Sequence, residues 1–184
     1  WESLVSGQAD LAIGAMMNSP PAHGIELKPL GEVEFVYAMA PHHPLAAIDE
    51  PLSDAQMMAH RAVAVADSAQ RLSPLTLNLL PGQEVFTVPT MAAKIEALLR
   101  CLGCGFVPEP QVREHLRRGC LVAKPVQRAR LPALFGYAWR SGATPQPRKA
   151  PQGLALQWWL QQLESPATRQ ALLERHVGLN VPLG

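Results

Sequence analysis

Three cysteines carry the first chemistry this chain could do. Cys101 and Cys104 form a Cys-x-x-Cys pair in Cys101-Leu102-Gly103-Cys104, and Cys120 follows. In thiol redox proteins that pair opens a helix, where the positive dipole end lowers a thiol pKa. Here the pair ends a helical stripe and enters a strand, so the dipole acts in the wrong sense. Redox chemistry is therefore the lesser reading. The thiols lack a fourth ligand at zinc spacing, so no metal is expected. His42 and His43 are adjacent. Neighbours on a strand point to opposite faces, so the pair reads as linker rather than as two metal ligands. Arg113, His115, Arg117 and Arg118 read as a solvated basic helix face. Ser68 has no His and Asp partners that spacing identifies. The sequence has no G-x-S-x-G, phosphate-binding, HExxH or dinucleotide motif. No catalytic residue and no cofactor are expected, and the chain does not read as an enzyme.

Thr90 offers binding chemistry instead. It follows the strand-like Val85 to Val88 and opens a helix with apolar residues at Met91, Ile95, Leu98, Leu99 and Leu102. The N-terminus of a helix presents unpaired N–H groups and a positive dipole end, which suit a carboxylate. A threonine there is equally an N-cap, and capping does not exclude binding. Pro89 and Met91 flank it, and core packing is the first reading of Met91.

The elements that must position these residues follow from spacing. Trp1, Leu4 and Val5 fit one helical turn, which Gly7 ends. Ala9 to Gly14 reads as a buried strand, Asn18 to Gly24 as loop and Ile25 to Leu30 as strand. Val33 to Ala40 is apolar nearly throughout and reads as a strand buried on both faces. Pro41 to Pro51 reads as a linker, and Ser53-Asp54-Ala55-Gln56 as a capping box. Ala62 to Ala66 is a strand, followed by the polar Asp67 to Pro74. Gly103 closes the long helix, and Cys104 to Val107 is a tight strand. A helix opened by Pro110 and closed by Gly119 precedes a strand over Leu121 to Val126. Leu134 to Trp139 is a last strand, and Ser141 to Gly153 is loop. Helices follow at Leu154 to Leu163 and from Ser165-Pro166 toward Arg175. Trp158 and Trp159 cannot both face one core, so one is expected to mark a lobe or subunit contact.

Alternating strands and helices imply parallel crossovers and an α/β sheet. The expected organisation is two lobes, residues 1–41 with 134–184 and residues 42–133, joined by two hinge crossovers. Ligands in open α/β sheets bind beyond the carboxyl ends of strands, so a small-molecule cleft is expected.

Composition bounds the rest. The 184 residues suffice for one large domain or two small lobes. Hydrophobic residues at 48% against 17% charged place the chain among globular proteins. Eighteen prolines imply abruptly ended segments. Lys+Arg is 16 against Asp+Glu 15, a formal net charge of +1, so this stretch has no general grip on nucleic acid. No apolar run approaches the roughly 20 residues a membrane span needs, and no signal peptide opens the chain. Three cysteines without a disulfide framework fit a reducing compartment. The chain opens on Trp1 rather than Met, so it reads as a fragment of something longer.

Four stretches together resemble LysR-type transcriptional regulators. Trp1 to Gly14 resembles that family's "L..G..D.AI" segment. Pro29-Leu30, the strand to Ala40, and His43-Pro44-Leu45 resemble its "PL…E…V…HPL" passage. Thr87 to Pro108 resembles its strand, helix and "G.G…P" unit, and Leu134 to Ser141 its returning strand. The match covers about residues 1–163.

The resemblance implies the effector-binding domain of a bacterial regulator. Its fold would be α/β, two-lobed and periplasmic-binding-protein-like (type 2), each lobe a mixed sheet flanked by helices. In the family this domain follows an N-terminal winged helix-turn-helix, absent from these residues, through which alone DNA would be bound. The family's first strand and first long helix would precede Trp1. A cytoplasmic homodimer or homotetramer without membrane contact is implied for the full-length protein. By the same resemblance Asp67, Ser68, Ala69, Gln70 and Arg71 line the cleft, where Arg71 could pair with an anionic effector. Gly14, Ala15, Met16, Gly105 and Phe106 border it at other strand ends, where glycines also serve tight turns. Phe106, Met91 and Met16 beside Thr90 and Arg71 would fit a small aromatic or apolar acid. Two rivals stand beside this reading: a solute-binding protein of a transport system, and a thiol redox protein using Cys101 and Cys104.

Overall fold

A computed structural model of the chain describes residues 1–17, 21–49, 51–66, 79–128, 133–140 and 153–174. The polar segment Asp67 to Arg71 lies outside the described residues, as do Ser141 to Gln152 and Arg175. In chain order the elements are α1 (Glu2–Val5), β1 (Leu11–Met16), β2 (Ile25–Val33), β3 (Phe35–Met39), α2 (Asp54–Met58), β4 (Ala62–Val65) and β5 (Val85–Val88). Then come α3 (Met91–Leu99), β6 (Gly105–Pro108), α4 (Glu109–Arg117), β7 (Val122–Lys124), β8 (Ala133–Arg140), α5 (Leu154–Glu164) and α6 (Pro166–Glu174). They divide into two compact units, Trp1–Val33 with Pro132–Gly184, and Glu34–Leu131.

In the first unit β8 is the middle strand of the order β1-β8-β2, antiparallel to both neighbours. Its residues Gly136 to Trp139 are accordingly buried. Leu30, Tyr137, Trp139 and Leu163 form a core against Leu156, Leu160, Leu172 and Leu173 of the two C-terminal helices. Leu156, Leu160 and Leu163 recur at helical spacing, which turns Trp158 and Trp159 outward at 53% and 39% exposure. The expected buried strand over Ala9 to Gly14 is displaced to β1, whose Ile13 is 40% exposed. Its described ladder has a partner on one side only, so it lacks the cover a central strand receives.

In the second unit β3 is central, antiparallel to β6 and β7. The sequence reading set residues up to 41 in the first lobe, but these ladder partners place β3 in the second unit. β4 pairs with β5 in parallel, and a parallel bridge between Ala62 and Cys104 joins β4 to β6. The strand order is therefore β5-β4-β6-β3-β7, a mixed sheet. Alternation along β3 supplies two cores on opposite faces. Val36 and Ala38 join Val63, Val88, Leu98, Val107 and Val112. Tyr37 and Met39 join Leu45, Leu52, Met57 and Cys104.

The segment read as linker is packed structure. Pro44–Ala47 is a 3₁₀ turn whose Leu45 is buried, and His43 is buried with its Nδ1 accepting the Leu45 N–H at 3.2 Å. Proline at the first position presets the turn, and the apolar side chain ties it to the core. Ser53 and Gln56 form the expected capping box on α2. The long helix stops earlier than its apolar stripe implied. Cys101 adopts the left-handed conformation at φ 57°, with Leu102 N–H bonding Ala97 O at 2.9 Å and Cys101 N–H bonding Leu98 O at 3.0 Å. That is a Schellman termination. It leaves Leu102 outside the helix and 43% exposed.

Candidate functional site

The first turn of α3 is built as the sequence implied. Thr90 has extended backbone, φ −141° and ψ 162°, and its Oγ1 accepts the Ala93 N–H at 3.1 Å. The Thr90 carbonyl accepts the Lys94 N–H at 3.0 Å. The Met91 and Ala92 amides are thus the first-turn donors without an intrahelical acceptor. Thr90 and Pro89 are exposed, while Met91 is half-buried against the cluster under α3. The strand β5 delivers this turn because Val88, its last residue, is buried and anchors the chain just before it.

Gly105 and Phe106 are neighbours on β6 and so face opposite sides of the sheet. Gly105 faces α3: a Cβ built on it would lie 3.3 Å from Lys94 Nζ and 3.1 Å from Val63 O. Phe106 packs edge-on against Tyr37 at a centroid distance of 5.0 Å, in the other core. Met91 and Phe106, expected to wall one pocket, therefore join different clusters. In the first unit Gly14 has φ 83° at a β-bulge, where the β1–β8 register shifts between Ile13 and Ala15. Ala15 pairs with Gly136 and Met16 with Phe135.

The residue that the candidate set left out is Lys94. It is 8% exposed, on the apolar side of α3. Among the described residues its ammonium has neither a hydrogen bond nor an ion pair. Burial pushes it down to about 8, against a weaker upward pull from Cys104. A signal was present: Met91, Lys94, Ile95 and Leu98 fall at i, i+3, i+4 and i+7, so position 94 lies within the inward stripe. Cys104, across the strand, receives a hydrogen bond from Tyr37 Oη at 2.9 Å. Burial raises its thiol, outweighing the downward pulls of that bond and of Lys94. Cys101 is half-buried, Cys104 buried and Cys120 exposed, all as free thiols. The basic segment of α4 is largely ion-paired on the surface, Arg113 to Glu109 and Arg117 and Arg118 to Glu114. Glu114 is held down to about 2 by the Arg117 and Arg118 guanidinium groups. Among the described residues no group of three or more His, Cys, Asp or Glu side chains could hold a metal. No described helix is long and apolar enough to cross a membrane.

Comparison with known proteins adds the following. The model of the LysR substrate binding domain matches residues 1–167. The HTH-type transcriptional activator AllS of Klebsiella pneumoniae is 40% identical over 123 residues, 67% of this chain and 46% of the relative. The HTH-type transcriptional regulator YeeY of Escherichia coli strain K12 is 35% identical over 159 residues, 86% of this chain and 49% of the relative. The chain thus spans about half the length of these curated relatives. Among solved structures, the regulatory domain of MetR from Neisseria meningitidis superposes with a TM-score of 0.66 at 20% identity, covering 94% of this chain and 76% of that one. The effector binding domain of QuiR in complex with shikimate does so with a TM-score of 0.60 at 16% identity, covering 95% of this chain and 77% of that one. These likenesses show the periplasmic-binding-protein-like fold.

Proposed function

The chain belongs to the LysR substrate binding domain family, and we propose that it is the effector sensor of a bacterial transcriptional regulator. The family match over residues 1–167 carries this reading. The solved complex of QuiR with shikimate supports a small organic molecule as the ligand class. Effector contacts are assigned to Gly14, Ala15 and Met16 in the first unit. In the second they fall to Pro89, Thr90, Met91, Gly105 and Phe106. Asp67, Ser68, Ala69, Gln70 and Arg71 keep the role the resemblance gives them. The relatives are transcriptional regulators, and the matching role here is sensing rather than catalysis. In the whole protein a winged helix-turn-helix would read DNA, in a cytoplasmic dimer or tetramer. An effector shifts such a protein between states only by its differential affinity for them.

A thermal melt of the 184-residue chain against a panel of small acids, amides and aromatics tests the reading. A ligand at 100 times its dissociation constant adds about 2.7 kcal/mol, which a melt resolves. A cooperative transition raised by one chemical class is the expected result. A cooperative transition that no member of a broad panel moves would count against a sensor.

A further inference from the structure

We infer that Lys94 is the charge anchor for the effector, and that the effector is therefore a small organic anion. The inference rests on the effector-sensor reading and names the ligand chemistry of that site. A lysine at a helix position turned toward a core is costly, because its ammonium loses water. Chains tolerate such a group when a carboxylate or a set of carbonyls meets it. Here neither does: among the described residues Lys94 has no ion pair and its side chain donates no hydrogen bond. The surrounding chain also makes room for it. Gly105 is the strand position beneath the ammonium, and any Cβ there would stand 3.3 Å from both Lys94 Cε and Nζ. A side chain at that position would crowd the amine.

The ammonium is nevertheless reachable. Among the described residues no fully enclosed side-chain nitrogen or oxygen lacks a hydrogen-bond partner. Lys94 Nζ has none and the residue keeps 8% exposure, so its tip is not fully enclosed. Its own backbone N–H closes the first turn of α3 on Thr90. That turn also carries the Met91 and Ala92 amides and the positive end of the helix. The first four residues of α3 thus carry, among the described residues, a lysine ammonium without a partner and two amides without an intrahelical acceptor at the positive end of the helix, with Thr90 Oγ1 already engaged to Ala93. A carboxylate or phosphate group is the chemistry that complements this set. A bound anion would also restore the charge balance that burial denies Lys94. The Cys104 thiol, whose charge would act on it, sits in the core on the other face of the sheet and is kept protonated near neutral pH by burial. It supplies no standing negative charge.

The test compares benzoate, phenyl phosphate and benzamide, which share a ring and differ in charge, at equal concentration near neutral pH. Thermal melts are recorded on the wild-type chain and on Lys94→Met, which fills the same volume without charge. Lys94 labelling by an amine-directed reagent is followed by mass spectrometry as a second readout. Benzoate, phenyl phosphate or both should raise the wild-type melting temperature, benzamide should not, and Lys94→Met should lose the shift. The same anion should slow labelling of Lys94 and leave exposed lysines such as Lys28 unaffected. An anion shift that persists in Lys94→Met overturns the inference and leaves the sensor reading intact. Equal stabilisation by benzamide in both proteins does the same. No shift from either anion also overturns it, and the sensor reading then stands or falls on the broader panel alone.

Discussion

Lys94 fixes what can be expected at the scale of single residues. Its amine titrates near 8 in the folded chain against 10.5 for an unperturbed lysine. Below pH 8 both states carry the proton, and the folded state bears the full cost of the buried charge. Between pH 8 and 10.5 the unfolded chain holds the extra proton, so the Lys94 contribution rises with pH and the cost is relieved. Lys94→Met should therefore be more stable than wild type near neutral pH, by about 3 kcal/mol at most. That advantage should shrink toward zero by pH 10.5. Urea melts of the two proteins across this range check it, and a constant difference would deny the depressed amine. Cys104 runs the opposite way, since its raised thiol makes the fold lose stability as pH climbs, and removing Lys94 raises that thiol further, which steepens the relative loss of Lys94→Met at high pH. Position 94 was legible as inward-facing from its place in the stripe. That no described residue pairs its charge was not, because pairing is a property of the neighbours.

At the scale of elements, the long helix ends on a residue poorly suited to the conformation it adopts. Cys101 occupies the left-handed position of the Schellman termination at φ 57°, where its Cβ crowds the backbone. Glycine has no such cost, so Cys101→Gly should stabilise the chain by about 1 kcal/mol. A chemical denaturation midpoint shifted upward with unchanged slope is the expected reading; a lowered midpoint would mean the thiol contributes packing that outweighs the strain. The apolar stripe announced the helix, its N-cap Thr90 and its face. It overran the end because Leu102 keeps the spacing while the backbone has already turned. The linker reading of Pro41 to Pro51 failed for a related reason. Proline-rich composition marks where regular structure stops, and says nothing about whether Leu45 then finds a core.

At the scale of the whole molecule, the two units differ in how their strands are covered. In the second unit, Val36 to Met39 are buried on both faces of the central strand. In the first, β1 carries Ile13 and Gly14 exposed. Amide exchange should then be slowest in β3 and β6 and faster by at least an order of magnitude in β1. Mass-spectrometric exchange on the intact chain checks this, and β1 exchanging as slowly as β3 would contradict it. The sequence by itself determined the α/β class, the family, most strands and the capping of α2 and α3. Those are properties of spacing, turn residues and short-range hydrogen bonds, all written locally. Tertiary structure alone decided that β3 pairs with β6 and β7, that Gly105 and Phe106 serve opposite cores, and that Lys94 is buried without a counter-charge among the described residues. Each depends on strands brought together from distant parts of the chain, where alternation assigns a face only after the partner and register are known.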